Sequence, residues 1–240
     1  MIKIALSYED DYIDRVEKIK DNFSEHVDYF YVEDYINKTV LFSFTNNDVI
    51  YILNNSSYNL SLIKKLKNKV HKIINESFYC EKHTKLDIQE ILKHNGVLVP
   101  NILECKNLTK YNFPLFCKSL NHADLVLKIY NKNSLDNLLE KFNSNNIYLE
   151  ESLESSNSKE YKVYFIKDTI YFDDKYEDFM DENIKQICLK ISSILQLELF
   201  SIDIIKQNNN YYVIDINPSA GLYMSSKSRK ALIEEFKIWE

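Results

Sequence analysis

The residues best suited to chemistry lie between Phe200 and Gly221, where two segments rich in β-branched and aromatic residues flank a polar Gln-Asn-Asn-Asn sequence. This pattern predicts a β-hairpin with its turn near Asn209. Pairing about that turn sets Asp203 opposite Asp215, and directly opposed residues on one face of a sheet have Cβ atoms about 4.5–5.5 Å apart. Two carboxylates at that separation repel each other unless a cation lies between them.

A third oxygen ligand follows on the same strand. Asn217 lies two residues after Asp215 and therefore on the same face. Carboxylate and amide oxygens suit a hard divalent cation, and Mg²⁺ that keeps positions open for phosphate oxygens is the usual case. An edge hairpin with solvated acids is the alternative interpretation. The intervening residues are mostly apolar, so the pattern favours a metal site formed by Asp203, Asp215 and Asn217.

These residues resemble the C-terminal metal hairpin of the ATP-grasp superfamily, in particular its ribosomal-protein glutamate ligases and D-alanine–D-alanine ligases. The family pattern has Asp on one strand and Glu-x-Asn-x-x-x-Gly on the next. Here Asp203 and the segment from Asp215 to Gly221 match it, with Asp in place of Glu. The resemblance implies an α/β (α+β) protein with the ATP-grasp fold and a small Rossmann-like N-terminal domain. It also implies that the protein uses ATP and Mg²⁺.

Two lysines are candidates for binding the phosphates of ATP. Lys118 ends the apolar segment 113–117, and a lysine at the inner end of an apolar strand is unfavourable unless it meets an anion. The segment resembles the family strand that ends in a phosphate-binding lysine. Lys85 begins a predicted helix, and its surroundings resemble the family segment whose lysine also reaches the phosphates. A solvated lysine is the alternative in both cases.

The loop after Lys118 departs from the family pattern. The family has a glycine-rich loop there, whose backbone amides lie over the phosphates, whereas residues 119–124 of this chain contain no glycine. Asparagine and aspartate tolerate turn conformations that glycine would otherwise supply. Two interpretations of this segment therefore remain. It forms a loop that closes over the phosphates, or it is a short connection that does not reach them. His122 in this loop is interpreted as an exposed residue.

Residues 146–154 resemble the family hinge that binds adenine. By position, Glu150, Glu151 and Leu153 are the nucleotide-binding residues, mainly through backbone groups around Glu151 and Leu153. An acidic linker between subdomains is the alternative.

Three further residues complete the site that the resemblance implies. Glu160 is placed near the ribose, and Lys162 replaces the family's arginine near the substrate carboxylate or the γ-phosphate. Lysine lacks the bidentate fork of arginine, which weakens that role. Arg229, in the basic segment 225–230, faces the carboxylate substrate or belongs to a solvated helix start.

The elements that carry these residues follow from hydrophobic periodicity. Residues 1–78 alternate strand and helix patterns, which is typical of a parallel sheet, and the segment 39–44 is predicted to be one of the strands. We expect a Rossmann-like domain at 1–78, an ATP-grasp small subdomain at 79–154, and a C-terminal subdomain with the metal hairpin at 155–240.

Composition argues against several classes of protein. A net charge of -6 and a pI near 5.5 disfavour general nucleic-acid binding, which needs a basic face. The acidic N-terminus is unlike a signal peptide, and no apolar segment approaches the length of a membrane span. The four cysteines show no metal-binding or disulfide spacing. We expect a cytoplasmic protein without nucleic-acid or membrane partners, and the sequence leaves a homodimer open.

The predicted function is an ATP-dependent carboxylate–amine ligase that forms an amide or peptide bond through an acyl phosphate, with small-molecule or peptide carboxylate and amine substrates. Ser201 stands where D-alanine ligases carry an arginine, which argues against D-alanine. Two alternatives remain. An ATP-grasp kinase that phosphorylates a hydroxyl needs a basic acceptor pocket, for which the chain offers only residues 227–230. A non-catalytic ATP-binding or scaffold protein would account for the missing glycines.

Overall fold

The computed structural model describes residues 1–9, 21, 27–103, 112–120, 125–142, 146–155, 157–176, 181–221 and 225–238. His122 and Cys105 lie outside the described residues. The chain divides into two compact units. The first comprises Met1–Lys82, Lys162–Ile202 and Ile216–Glu240, and the second comprises His83–Tyr161 and Asp203–Asp215. The three-part division expected from the sequence stays a prediction.

A parallel sheet begins the first unit, as the alternation of strand and helix patterns predicts. Its strands pair in the order β2-β1-β3-β4, and every pairing is parallel. Side chains alternate across the strands, so Ile4 and Ala5 of β1 enter different hydrophobic clusters. The elements are β1 (Ile2–Leu6), β2 (Asp28–Tyr31), α1 (Val32–Asn37), β3 (Val49–Ile52), α2 (Asn59–Leu66), β4 (Lys72–Ile73) and α3 (Glu76–Glu81).

The segment 39–44 is not a strand, which corrects the expectation from its sequence. Phe42 and Phe44 pack against the ring of Phe30 in β2, with centroid distances of 5.5 and 5.2 Å. Leu41 is 97% exposed. The segment therefore contacts the sheet through alternate side chains without joining its hydrogen-bond ladder. Its sequence consequently alternates between apolar and exposed positions, as the sequence of a strand does.

The second unit contains an antiparallel sheet with strand order β5-β8-β6-β7. Leu115 and Cys117 of β6 pack with Leu135 of α5 in its core. Because side chains alternate along a strand, Phe116 and Lys118 lie on the opposite face. The elements are α4 (Lys85–His94), β5 (Ile102–Leu103), β6 (Leu115–Ser119), β7 (Val126–Ile129), α5 (Lys132–Lys141) and β8 (Ile147–Glu151).

The C-terminal third of the chain forms a sheet with strand order β10-β9-β11-β12. Its elements are β9 (Lys159–Ile166), β10 (Thr169–Phe172), a 3₁₀ turn (Asp174–Tyr176), α6 (Glu182–Leu195), β11 (Leu199–Gln207), β12 (Asn210–Asn217) and α7 (Ser226–Ile238). None of the described helices is long and apolar enough to cross a membrane.

Both hairpins of this sheet close with two-residue turns. Asn208 and Asn209 have φ angles of 49° and 65°, and Lys167 and Asp168 have φ angles of 37° and 63°. Two successive residues with positive φ are typical of a type I′ turn, whose twist matches that of the flanking strands. Asparagine and aspartate reach these angles more readily than other residues with a Cβ atom.

The tight turn bears on the predicted opposition of Asp203 and Asp215. In the β9–β10 hairpin, a two-residue turn pairs Ile166 with Thr169, the residues on either side of it. In the β11–β12 hairpin the residues on either side of the turn are Gln207 and Asn210. If the ladder continues unbroken from that pair, Asp203 lies opposite Ile214. The turn therefore does not support direct opposition of the two aspartates, although both lie on the hairpin.

Leu115→Ala is expected to lower the free energy of unfolding by about 2–5 kcal/mol, because Leu115 is fully buried and its truncation leaves a cavity. Leu41→Ala is the matched control, since Leu41 is 97% exposed and surface substitutions change stability by about 0.5 kcal/mol or less. Urea denaturation followed by circular dichroism measures both variants. Equal effects of the two substitutions would contradict the assigned core.

Candidate functional site

A cavity of about 230 Å³ lies in the second unit. Its charged lining consists of Lys85, Lys118, Glu150, Glu151, Glu154, Glu160, Asp203 and Asp215. Its apolar lining consists of Pro100, Phe116, Val126, Leu153, Ile205 and Ile214. Eight of the eleven site residues named from the sequence therefore lie around one cavity. The others are Lys162, Arg229 and Asn217.

Lys118 is the buried cation of the cavity. It follows the core residue Cys117 on β6, so its side chain lies on the cavity face, where it is only 8% exposed. Its ammonium is 2.6 Å from Oε2 of Glu150 and donates a hydrogen bond of 2.7 Å to the carbonyl oxygen of Ile214. A buried charge needs such partners, because an unpaired one is strongly unfavourable. A lysine at the inner end of an apolar strand is expected to meet an anion, and in this structure the Glu150 carboxylate is that anion.

Glu150 is the buried acid of the cavity, with 1% of its surface exposed. Burial raises the pKa of its carboxyl, although the Lys118 ammonium acts in the opposite direction. Burial and the nearby Glu150 charge also raise the pKa of Tyr148. Within the described part of the chain, Oε1 of Glu150 has no hydrogen-bond partner. Oε2 of Glu150 therefore neutralises Lys118, and the hydroxyl of Tyr148 also interacts with this carboxyl.

Lys85 is the first residue of α4, and a capping box fixes that helix start. Oγ1 of Thr84 accepts a hydrogen bond from the backbone N–H of Asp87, whose carboxylate accepts one from the backbone N–H of Thr84. The Lys85 ammonium lies 3.3 Å from Oδ1 of Asp215, and the two side chains are 14% and 36% exposed. Both lysines of the cavity wall are thus paired with carboxylates of the protein.

The hinge residues line the same cavity. Oε1 of Glu151 accepts hydrogen bonds from the backbone N–H and the side-chain amide of Asn101. The backbone N–H of Glu151 donates to the Asn101 carbonyl oxygen at 3.0 Å. Leu153 is 6% exposed, and its carbonyl oxygen accepts a hydrogen bond of 2.9 Å from the side chain of Gln207. These bonds hold the backbone at 151–153 in one position along the cavity wall.

Asp203 and Asp215 are the two members of the predicted metal set that line the cavity. Among the described residues there is no group of three or more His, Cys, Asp or Glu side chains suited to a metal ion. The predicted set contains only two carboxylates, so its third ligand must be of another type. Oδ1 of Asp215 already lies beside the ammonium of Lys85, and carboxylate oxygens are the ligands that Mg²⁺ prefers. Asp203 and Asp215 are thus of the chemical type that holds Mg²⁺, and their role as ligands stays a prediction.

Asn217 ends β12 and belongs to the first unit. Its Oδ1 accepts a hydrogen bond of 3.0 Å from the backbone N–H of Ser219. An amide oxygen has a second lone pair, so this bond orients Asn217 and still leaves capacity for a cation. Its role as a ligand stays a prediction.

Lys162 and Arg229 also belong to the first unit. Lys162 lies on β9, where its carbonyl oxygen accepts a hydrogen bond from the backbone N–H of Asp173. Arg229 lies in the first turn of α7. The hydrogen bond from the backbone N–H of Ser226 is the main cause that lowers the pKa of Asp174, and the charge of Arg229 adds to it. The substrate-binding roles of Lys162 and Arg229 stay predictions.

Apart from Leu153, the apolar residues of the cavity wall were not predicted from the sequence, and neither was Glu154. Phe116 and Ile205 stand two positions from Lys118 and Asp203 on the same strands, and Ile214 directly precedes Asp215. Alternation along β6 and β11 would have identified the first two. Ile214 could not be found in this way, because its contribution to Lys118 is a backbone carbonyl, which every residue has.

Comparison with known proteins identifies the fold. Residues 174–238 match the family model of the RimK-like ATP-grasp domain. In sequence, no curated protein matches the chain. Among solved structures, the ATP-grasp ligase PsnB complexed with minimal precursor has a TM-score of 0.70 and 13% identity, and the match covers 100% of this chain and 99% of that chain.

Two further structures are similar over nearly their whole length. The D-alanine–D-alanine ligase from Bacillus anthracis complexed with ATP has a TM-score of 0.70 and 13% identity, covering 99% of this chain and 94% of that chain. A RimK domain protein ATP-grasp from Sphaerobacter thermophilus DSM 20745 has a TM-score of 0.69 and 9% identity, and the match covers 98% of this chain and 99% of that chain.

The chain therefore has the ATP-grasp fold of ATP-grasp ligases, in a mixed α/β architecture, and the superfamily resemblance inferred from the hairpin residues is confirmed. More particularly, residues 174–238 are similar to the RimK-like ATP-grasp domain.

Lys118→Met is expected to destabilise the protein more at about pH 8 than at about pH 5. The substitution leaves the Glu150 carboxylate buried without its cation, and breaking a buried pair costs about 3–5 kcal/mol. The folded-state pKa of Glu150 is already raised by burial. A neutral Glu150 avoids the penalty at low pH, and the penalty grows as the pH rises through that pKa. Urea denaturation at the two pH values measures the difference.

Lys128→Met is the control for this experiment. Lys128 also pairs with a glutamate, Glu154, but at a partly exposed position. Solvent screens such a pair, so its loss is expected to have the same small effect at both pH values. A destabilisation by Lys118→Met that did not change with pH would contradict the assignment of Glu150 as its cause.

Proposed function

We propose that the protein is an ATP-dependent carboxylate–amine ligase that forms an amide or peptide bond. The observation that supports this proposal most is the cavity of the second unit, where both candidate phosphate lysines, the hinge residues and two aspartates line one space. In a ligase of this kind the protein works by positioning reactants and by offsetting the charge that develops on the phosphoryl group. No nucleophilic side chain is required.

The walls of the cavity suit the parts of ATP. Phe116, Ile205 and Ile214 provide an apolar surface for the purine ring, and the backbone around Leu153 provides groups for its polar edge. Lys118 and Lys85 are assigned to the phosphates, and Glu160 to the ribose. The cavity is smaller than the about 300–1,000 Å³ of a typical small-molecule site, so this wall would enclose the nucleotide only in part.

Asp203, Asp215 and Asn217 are the residues that would hold Mg²⁺. When bound, this ion neutralises phosphate charge and orients the transferred group. PsnB, which shares the fold, was solved with a phosphomimetic variant of its minimal precursor together with Mg and ADP, which supports the use of ATP and Mg²⁺ here.

The proposed reaction begins with transfer of the γ-phosphoryl group to a carboxylate, which yields an acyl phosphate and ADP. An amine then displaces phosphate and forms the amide bond. Lys162 and Arg229 are assigned to the carboxylate substrate. Ser201, which is 1% exposed, provides no positive charge where D-alanine ligases carry an arginine. PsnB was solved with a precursor peptide, and a peptide or small-molecule carboxylate is accordingly the proposed substrate class.

Trapping with hydroxylamine tests the proposed reaction. The protein is incubated with Mg²⁺, ATP, hydroxylamine and a panel of amino acids, short peptides and dicarboxylates. An acyl phosphate reacts with hydroxylamine, so ADP and a hydroxamate are expected with at least one acid. Asp215→Ala should abolish both products, because it removes a metal ligand. Asp136→Ala, an exposed acid of the same unit on α5, should leave both products unchanged.

The other two functions give different products in this assay. A kinase would form ADP and a stable phosphorylated alcohol when hydroxyl compounds are supplied, with no hydroxamate from any acid. A scaffold would form neither, even where ATP binds. Either result would overturn the ligase proposal.

A further inference from the structure

We propose that Asp215 is a specificity-determining residue that makes the site select the metal–nucleotide complex over the free nucleotide. This inference rests on the proposed function and concerns the same cavity. It starts from the pairing of Lys85, whose ammonium lies 3.3 Å from Oδ1 of Asp215. Asp215 thus holds the lysine that is assigned to the phosphates, and it is also one of the assigned metal ligands.

The two lysines of the cavity differ in how firmly they are held. Lys118 lies between the buried Glu150 carboxylate and the Ile214 carbonyl oxygen. Moving it away would leave a buried carboxylate without its cation, which is strongly unfavourable. Lys85 is held by Asp215, whose side chain is 36% exposed and can be solvated when the pair opens. Lys85 is therefore the lysine that can be exchanged between partners.

The net negative charge of the cavity wall makes the binding of a nucleotide depend on whether Lys85 is released from Asp215. Six carboxylates and two lysines line the cavity, and each lysine already has a carboxylate partner. A triphosphate that arrives without a cation meets a wall of excess negative charge. It must also compete with Asp215 for the ammonium of Lys85. Both effects weaken the binding of the free nucleotide.

A divalent cation removes this competition. The cation competes with Lys85 for the Asp215 carboxylate, and it carries twice the charge of the ammonium. When Asp215 turns to the cation, Lys85 is released to the phosphates. Metal and nucleotide then strengthen each other's binding, and the coupling free energy is the same in both directions. The Lys85–Asp215 pair is in this way the part of the site that distinguishes the two forms of ATP.

Asp215→Asn gives the sharpest test. If Asp215 were only a metal ligand, the substitution would leave nucleotide affinity in EDTA unchanged, whereas a residue that also holds Lys85 lowers that affinity in the wild type. Isothermal titration calorimetry with a non-hydrolysable ATP analogue, in EDTA and in excess Mg²⁺, measures the affinities. In EDTA, Asp215→Asn should bind the analogue about two- to fivefold more tightly than the wild type, since a partly exposed ion pair no longer competes for Lys85. The gain in affinity that Mg²⁺ gives the wild type should be lost.

Two further variants separate the release of Lys85 from a simple loss of negative charge. In a Lys85→Met background, Asp215→Asn should tighten binding in EDTA less than it does in the wild-type background, because only the loss of negative charge remains and no lysine is left to release. Glu154→Gln removes the same charge from the wall without touching the Lys85 pair or the hinge contacts of Glu151, and should tighten binding less than Asp215→Asn. Thermal melting without ligand verifies that each variant is folded.

The outcomes also separate this inference from the proposed function. Equal tightening in the Lys85 and Lys85→Met backgrounds, or no tightening by Asp215→Asn, would overturn the inference while nucleotide binding by the wild type still stands. Failure of the wild type to bind the analogue in either condition would overturn the proposed function and the inference together.

Discussion

The buried ion pair between Lys118 and Glu150 is the interaction on which the cavity depends. It joins two neighbouring strands, β6 and β8, on the face of the sheet opposite the core residues Leu115, Cys117 and Leu149. The ammonium also holds the backbone of β12 through the Ile214 carbonyl oxygen. Neither charge can leave without exposing the other to an apolar surrounding, so the pair fixes three strands around one point.

Around this fixed point the site combines a rigid cation with a movable one. Lys118 is held by a carboxylate and a backbone carbonyl of the protein, and it therefore acts as a permanent positive charge in the wall. Lys85 stands at a helix start and pairs with a partly exposed carboxylate. The first arrangement gives a constant electrostatic background, whereas the second can respond to what enters. A site built only from buried pairs would have no such response.

Much of this site could be predicted because its residue types are unusual for their positions. A lysine at the end of an apolar strand and two aspartates within one apolar hairpin stand out against an ordinary β pattern. Phe116 and Ile214 did not stand out, because apolar residues in strands are expected whether they line a core or a ligand. The role of Ile214 comes from its backbone, which no sequence pattern distinguishes.

The fold was predictable where periodicity reflects a single cause. The parallel sheet at the N-terminus and the hairpins of the C-terminal sheet followed from alternation and turn residues. The segment 39–44 alternates because Phe42 and Phe44 pack on Phe30, so the same pattern had a different cause there. The pairing of Asp203 depended on whether one or two asparagines form the turn, and a polar run of several residues does not specify that.

The turns of this protein have a consequence for its unfolded state. The chain contains only two glycines, and left-handed backbone angles are adopted at eight described positions by residues with a Cβ atom, among them Asn75, Asn208 and Asn209. Glycine would relieve the steric cost of these angles in the folded chain, but it would also widen the range of conformations that the unfolded chain explores. A chain so poor in glycine gives up less backbone entropy when it folds. Part of its stability therefore resides in the restricted freedom of the disordered chain, where no contact of the folded structure would reveal it.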